Sequence, residues 1–172
     1  MARFALRRLR LRPGEEHRET VSLTIEPFEL GGEEYVAAPA EIPAALVVQR
    51  ATSGDLFRLG FATGVAGPCM RCLAPASVRV EVDAREYNAV DDGADEELSS
   101  DYVVEGELDL AAWARDQVAL ALPDPILCRP DCAGLCPVCG KDLNLEPHTH
   151  EETAVDSRWA ALEALRSDPD RG

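Results

Sequence analysis

Ser77-Val78-Arg79-Val80-Glu81-Val82 alternates polar and apolar residues without a break. Successive side chains of a strand point to opposite faces, so this stretch predicts a β-strand with its valines inward and its polar residues in water. The same period of two recurs in Val21-Ser22-Leu23-Thr24-Ile25, and residues from about Thr20 to Tyr87 are rich in Val, Leu, Ile, Thr and Phe. Gly31-Gly32, Ser53-Gly54-Asp55 and Gly67-Pro68 each predict a turn, because glycine tolerates positive φ and proline fixes its own. Strands with one wet face and short connections predict an antiparallel β-meander or partial barrel.

Beyond this region the period changes. Asp109 is placed to cap a helix carrying Leu110, Trp113, Ala114, Gln117, Val118 and Ala121, which ends at Leu122 before Pro123. Its apolar stripe should pack on the sheet. A short terminal helix is expected from Asp156 to Arg166, with Trp159, Leu162 and Leu165 along one side. Between strands and helices, Asp91-Asp92-Gly93-Ala94-Asp95-Glu96-Glu97 has the composition of a solvated loop and is assigned no chemistry. The fold class is therefore α+β, with residues 1–125 as a β-rich domain with a packing helix and residues 126–172 as a Cys/His metal-binding module ending in the terminal helix.

The 172 residues suit one ordinary domain, or one domain with a small appendage. A formal net charge of −15 disfavours wholesale coating of RNA or DNA, whose affinity comes mostly from neutralised phosphates. The exception is an N-terminal basic island, Arg3, Arg7, Arg8, Arg10, Arg12 and Arg18, broken by the turn signal Pro13-Gly14. Its plain reading is an amphipathic segment with solvated arginines, and any direct RNA contact is confined to it. Arginine interrupts every apolar run near the start, as a secretory peptide does not allow, and no segment is apolar enough to span a membrane. A cytoplasmic location is expected, where cysteines stay reduced unless metal-bound or catalytic.

All six cysteines fall in two clusters, Cys69-Met70-Arg71-Cys72 and Cys128, Cys132, Cys136, Cys139, with His148 and His150 just beyond. A two-residue gap lets both sulfurs of a tight turn face one ion, which half-builds a tetrahedral zinc site. Six thiols and two imidazoles would fill two closed four-coordinate sites, although one site of four is also compatible with the count. The spacing favours Cys136, Cys139, His148 and His150 in one and Cys69, Cys72, Cys128 and Cys132 in the other, which would close a long loop between a strand end and the segment after the helix. Other partitions stay open on sequence alone.

Competing readings are weaker. Disulfides match the cysteine count but not a cytosolic chain, and the βαβ context of a redox Cys-x-x-Cys is missing around Cys69. An iron–sulfur cluster is the sharper rival, since Cys132-x3-Cys136-x2-Cys139 offers three thiolates with Cys128 as a fourth. His17, without metal-binding neighbours, reads as surface. No phosphate-cradling loop, nucleophile elbow or dinucleotide fingerprint appears, and closed sites leave no open position to activate water, so no enzyme activity is expected.

The run Cys128-Arg-Pro-Asp-Cys132-Ala-Gly-Leu-Cys136-Pro-Val-Cys139-Gly-Lys-Asp-Leu143-Asn144 resembles the YceD family, implicated in accumulation of large-subunit ribosomal RNA. Cys69-Met-Arg71-Cys72-Leu-Ala-Pro75 is similar to that family's first cysteine pair, and Val155-Asp156-Ser-Arg158-Trp159 to its closing segment, so the resemblance runs from about residue 20 to 166. Many relatives end the cluster with Cys-x-Cys where this chain has His148-Thr149-His150, which keeps ligand capacity with other donor atoms; Ser157 replaces a usual proline. The resemblance implies a role in synthesis, processing or stability of that RNA, through a ribosomal or RNA-processing protein; no membrane contact and no small-molecule substrate are expected from the motifs.

Overall fold

The computed structural model describes residues 3–89 and 98–150. In chain order the elements are β1 (Arg3–Ala5), β2 (Glu16–Leu23), β3 (Phe28–Leu30), β4 (Glu33–Ala38), β5 (Ile42–Arg50), β6 (Gly54–Pro68), β7 (Pro75–Ala89), β8 (Val103–Val104), β9 (Glu107–Asp109) and α1 (Leu110–Ala121). The acidic stretch around 91–97 and the terminal helix expected over 156–166 lie outside the described residues.

The backbone of the fold is the hairpin of β6 and β7, paired without interruption from Gly54↔Ala89 to Pro68↔Pro75. Alternation sets its faces: Ala76, Val80, Val82 and Ala84 of β7 are buried, while Ser77, Arg79, Glu81 and Asp83 face water. Across the ladder β6 buries Phe57, Leu59, Phe61 and Val65 on the same side. On its other edge β6 pairs with β5 along its first half and with β4 near its end. β2 then adds to β5 and β3 to β4. The result is an open six-stranded antiparallel sheet in which β5, β6 and β7 form a meander, rather than a closed barrel.

Gly67-Pro68, expected as a turn, instead ends β6, where the two residues pair with Ala76 and Pro75. The connection is the six residues 69–74 beyond it. Gly67 has a packing role: the ring of Tyr35, 1% exposed, lies where a Cβ would stand, and the Tyr35 hydroxyl donates to the Pro68 carbonyl at 2.7 Å.

A second, three-stranded sheet in the order β1-β9-β8 leads into α1. The Asp109 carboxylate accepts from the Ala112 N–H at 3.0 Å, satisfying one of the unpaired donors of the first turn. Leu110, Trp113, Ala114 and Val118 are buried and join Leu23, Ile42, Leu46 and Leu59 in the core, as the stripe predicts. The buried Asp55 is a structural group, paired with Arg50 where β5 turns into β6. The chain divides into two compact units after Gly134. Among the described residues no helix is long and apolar enough to cross a membrane.

Replacing Gly67 by alanine should destabilise the protein by about 1–3 kcal/mol, because the added methyl must displace a packed ring. Urea unfolding measures it, with Tyr35→Phe, which removes one hydrogen bond, expected to cost about 1 kcal/mol. Wild-type stability of Gly67→Ala would show that Tyr35 moves aside freely.

Candidate metal centres

The hairpin tip begins where the β6–β7 ladder stops. The Cys69 N–H donates to the Ala74 carbonyl at 2.7 Å and the Leu73 N–H to the Cys69 carbonyl at 2.9 Å. This folds Cys69-x-x-Cys72 into a knuckle with Leu73 in the left-handed region at φ 61°. The Arg71 N–H points at the Cys69 sulfur, 3.5 Å away. The chain after α1 returns to this tip: the Met70 N–H donates to the Ile126 carbonyl at 3.0 Å, and the Arg71 guanidinium to the Cys132 carbonyl at 2.8 Å. The sulfurs of Cys69 and Cys132 then stand 3.8 Å apart, and those of Cys72 and Cys128 3.6 Å apart. Cys69 and Cys132 are buried at 0% and 1% exposure; Cys128 lies at the surface.

The C-terminal unit repeats the device. The Cys136 N–H donates to the Lys141 carbonyl and the Gly140 N–H to the Cys136 carbonyl, both at 2.8 Å, with Gly140 left-handed at φ 72°. The register is that of the hairpin tip, residue for residue, with Gly140 in the place of Leu73. Glycine adopts this conformation at little cost, whereas a leucine there is strained. His148 is turned by its backbone surroundings. Its Nδ1 lies 2.6 Å from the Glu146 carbonyl, which accepts only from a protonated Nδ1, so the Nε2 lone pair faces the Cys139 sulfur at 3.1 Å. The His150 ring meets the His148 ring edge-on at 5.0 Å.

The eight predicted residues thus gather as Cys69, Cys72, Cys128, Cys132 and as Cys136, Cys139, His148, His150, with donor atoms in each group within 4.8 Å of one another. All six cysteines are free thiols. Each group is able to hold a metal ion. Two neighbours escaped sequence reading, Arg71 and Glu146, because they act through a backbone N–H, a guanidinium and a carbonyl that no spacing rule reports. Their proximity to the ligand residues was the only signal.

Electrostatics separates the thiols. Loss of water raises the Cys69 thiol, but backbone N–H donors of Arg71, Cys128 and Cys72 outweigh it and bring it down to about 6. Cys136 also falls to about 6, chiefly through the Cys139 N–H. Desolvation, then the crowding thiols Cys72 and Cys132, push Cys128 up to about 12. Cys72 is raised as well, since burial and its hydrogen bonds with Cys132 and Cys69 outweigh the Ala74 N–H. His148 is raised, first by its bond to the Glu146 carbonyl and then by Cys136. At neutral pH Cys69 and Cys136 are therefore ready as thiolates to take a cation.

An open antiparallel sheet whose longest hairpin ends in a four-thiol cluster, with a second Cys/His cluster following it, defines a small α+β protein equipped to hold metal. The chain belongs to the YceD family, whose model, described as large ribosomal RNA subunit accumulation protein YceD, matches residues 58–166. Uncharacterized proteins of Mycobacterium tuberculosis and Mycobacterium bovis are each 41% identical over 122 residues, covering 68% of this chain and 58% of their own length. An uncharacterized protein of Mycobacterium leprae is 35% identical over 116 residues, covering 64% of this chain and 52% of its own. The chain thus spans less than two thirds of the length of these curated relatives. No solved structure matches it.

Metal binding must displace the protons on Cys72 and Cys128, whose thiols titrate above neutrality, so affinity at the hairpin tip should rise with pH. With two protons displaced, the expected gain between pH 6 and 8 is about a hundredfold per unit, read by chelator competition. A pH-independent affinity would contradict the ligand set.

Proposed function

We propose that this protein is a zinc-binding, non-enzymatic accessory factor in the synthesis, processing or stability of large-subunit ribosomal RNA, working in the cytoplasm beside a ribosomal or RNA-processing protein. The observation that carries the chemistry is the assembly of two four-donor groups, one joining Cys69 and Cys72 to the distant Cys128 and Cys132, the other gathered locally from Cys136 to His150. Ligands 2.3 Å from a tetrahedral centre stand about 3.8 Å apart, and the sulfur pairs at the hairpin tip measure 3.6 and 3.8 Å. A multi-iron cluster spreads its thiolates over several metals and needs a wider frame. Cys132 moreover groups with Cys69, Cys72 and Cys128, which leaves the Cys132-x3-Cys136-x2-Cys139 triad divided. The mixed thiolate–imidazole group suits zinc, the borderline ion that takes both donors.

In this reading residues 1–125 are the β-rich frame and residues 126–172 carry the metal-binding segment, with Cys128 and Cys132 reaching back to the frame. Four protein ligands per ion leave no position for an activated water, which supports a structural rather than a catalytic role. The biology rests on the family, and the acidic surface suits a basic protein partner.

Elemental analysis with a visible spectrum of the same anaerobic sample tests the chemistry: about two zinc per chain in a colourless solution is expected. Cys136→Ser should lose about one of them and weaken the C-terminal unit, while a surface substitution loses none. A brown, iron-containing sample would replace the zinc reading with a redox one, and unchanged metal content and melting in Cys136→Ser would sink the second site.

A further inference from the structure

Residues 1–13 hold five of the 17 basic residues of the chain and none of its 32 acidic ones. The described part of this segment is fixed to the fold. After β1, a single 3-10 turn over Leu6–Arg8 buries Leu6, and Leu9 and Leu11 pack against the core. The Leu6 N–H donates to the Gly106 carbonyl at 3.0 Å, the Gly14 N–H to the Arg50 carbonyl at 2.8 Å and the Arg50 N–H to the Glu15 carbonyl at 3.0 Å. Leu9 is extended, at φ −85° and ψ 115°. With alternate leucines held inward, Arg8, Arg10 and Arg12 are exposed beside Arg7. In an extended chain alternate residues recur about every 6.5–7 Å on one side.

These four differ from the arginines around them. Arg3 faces Glu107 and Asp109, Arg18 pairs with Glu16, Arg50 with Asp55, Arg58 with Asp83 and Arg79 with Glu81. Among the described residues, no carboxylate lies within ion-pair distance of Arg7, Arg8, Arg10 or Arg12. The nearest candidate, Glu15, turns its carboxylate to the Arg12 backbone N–H, at 2.8 Å. In a chain with such an excess of acid, a pre-ordered strip of guanidiniums without a carboxylate partner among the described residues is placed for an external anion. Guanidinium forks match phosphate oxygens two at a time, and ordering the strip in advance lowers the entropy lost on binding.

We infer that Arg7, Arg8, Arg10 and Arg12 form a docking strip for an RNA phosphate backbone. The proposal rests on the ribosomal-RNA reading above and names the surface through which this chain touches that RNA. A phosphodiester chain carries one charge at every nucleotide, a repeat that Arg10 and Arg12, alternating along the extended segment, can follow, with Arg7 and Arg8 of the 3-10 turn beside them. The strip has no exposed aromatic residue to stack on bases, so contact is with the backbone and independent of sequence. Repulsion from the remaining acidic surface confines the contact to a few nucleotides.

The test is fluorescence anisotropy of the full, metal-loaded chain with a short mixed-sequence single-stranded RNA, between about 50 and 200 mM salt, with a polyglutamate peptide in parallel. Four phosphate contacts predict a log–log salt slope of about −3. Replacing Arg8, Arg10 and Arg12 together by alanine should flatten it by about 2 and weaken low-salt binding at least tenfold, whereas three lysines should keep the slope. Circular dichroism checks that the variants fold. An unchanged slope in the alanine variant, or a wild-type chain that binds polyglutamate but not RNA, overturns the strip. In cells lacking the chain, large-subunit RNA restored equally by wild type and alanine variant would overturn the strip and leave the accumulation role standing. Unaltered large-subunit RNA on removal of the chain would instead refute that role, whatever the binding assay reads.

Discussion

The register between β6 and β7 is the constraint from which the rest of the molecule follows. A slip of one residue would turn Val80, Val82 and Ala84 outward and bury Arg79, Glu81 and Asp83, so burial on one face fixes the pairing. The register in turn fixes which residues remain for the turn, and these contain Cys69 and Cys72. The hairpin tip is thus a consequence of a hydrophobic pattern that runs away from it. Ile126, Cys128 and Cys132 come to the tip from beyond α1, so an ion held there would close a loop whose two ends, Cys72 and Cys128, are 56 residues apart. Closing so long a loop would offset a considerable chain entropy, and the helix between the ends already packs on the sheet through its own apolar stripe.

The two units draw on different sources of stability. Up to Gly134 the chain has a continuous core, with Trp113, Phe57, Leu59 and Ile42 fully buried. Among the described residues from Leu135 to His150 there is one isolated bridge, Leu135 to Asp142, and Val138 and Leu145 are exposed at 70% and 81%. These residues are organised instead by short-range hydrogen bonds around Asp142 and by the facing donors of Cys136, Cys139 and His148. For residues 135–150, with so little buried apolar surface among them, an ion bound by these donors would be the main source of order.

Much of this was legible in the sequence, for local reasons. Alternation gave β7, the capping aspartate gave α1, and cysteine spacing with nearby histidines gave the two donor groups. What escaped was long-range pairing. β1, β8 and β9 are two or three residues long, too short to show a period, and β1 pairs with a strand more than a hundred positions later. The partnership of β2 with β5, across the β3–β4 hairpin, is likewise decided by tertiary packing. Gly67-Pro68 misled because its glycine is required by the Tyr35 ring rather than by a turn, a distinction only the opposing strand reveals. The inward leucines of the basic segment were readable as an amphipathic pattern, but the lack of carboxylate partners among the described residues was not.

Charge explains why the two donor groups differ in type. Four thiolates around any divalent ion would leave a net charge of −2, whereas two thiolates and two neutral imidazoles would leave none. The hairpin tip can hold the first because Cys69 and Cys132 are buried beside stabilising donors: backbone N–H groups aimed at sulfur, and the Arg71 guanidinium bonded to the Cys132 carbonyl. The C-terminal unit is exposed and belongs to a chain already at −15, where two further negative charges would add to self-repulsion. His148 and His150 offer donors without that charge. The Glu146 carbonyl completes the arrangement by holding the His148 proton on Nδ1, so that the opposite nitrogen stays free to bind.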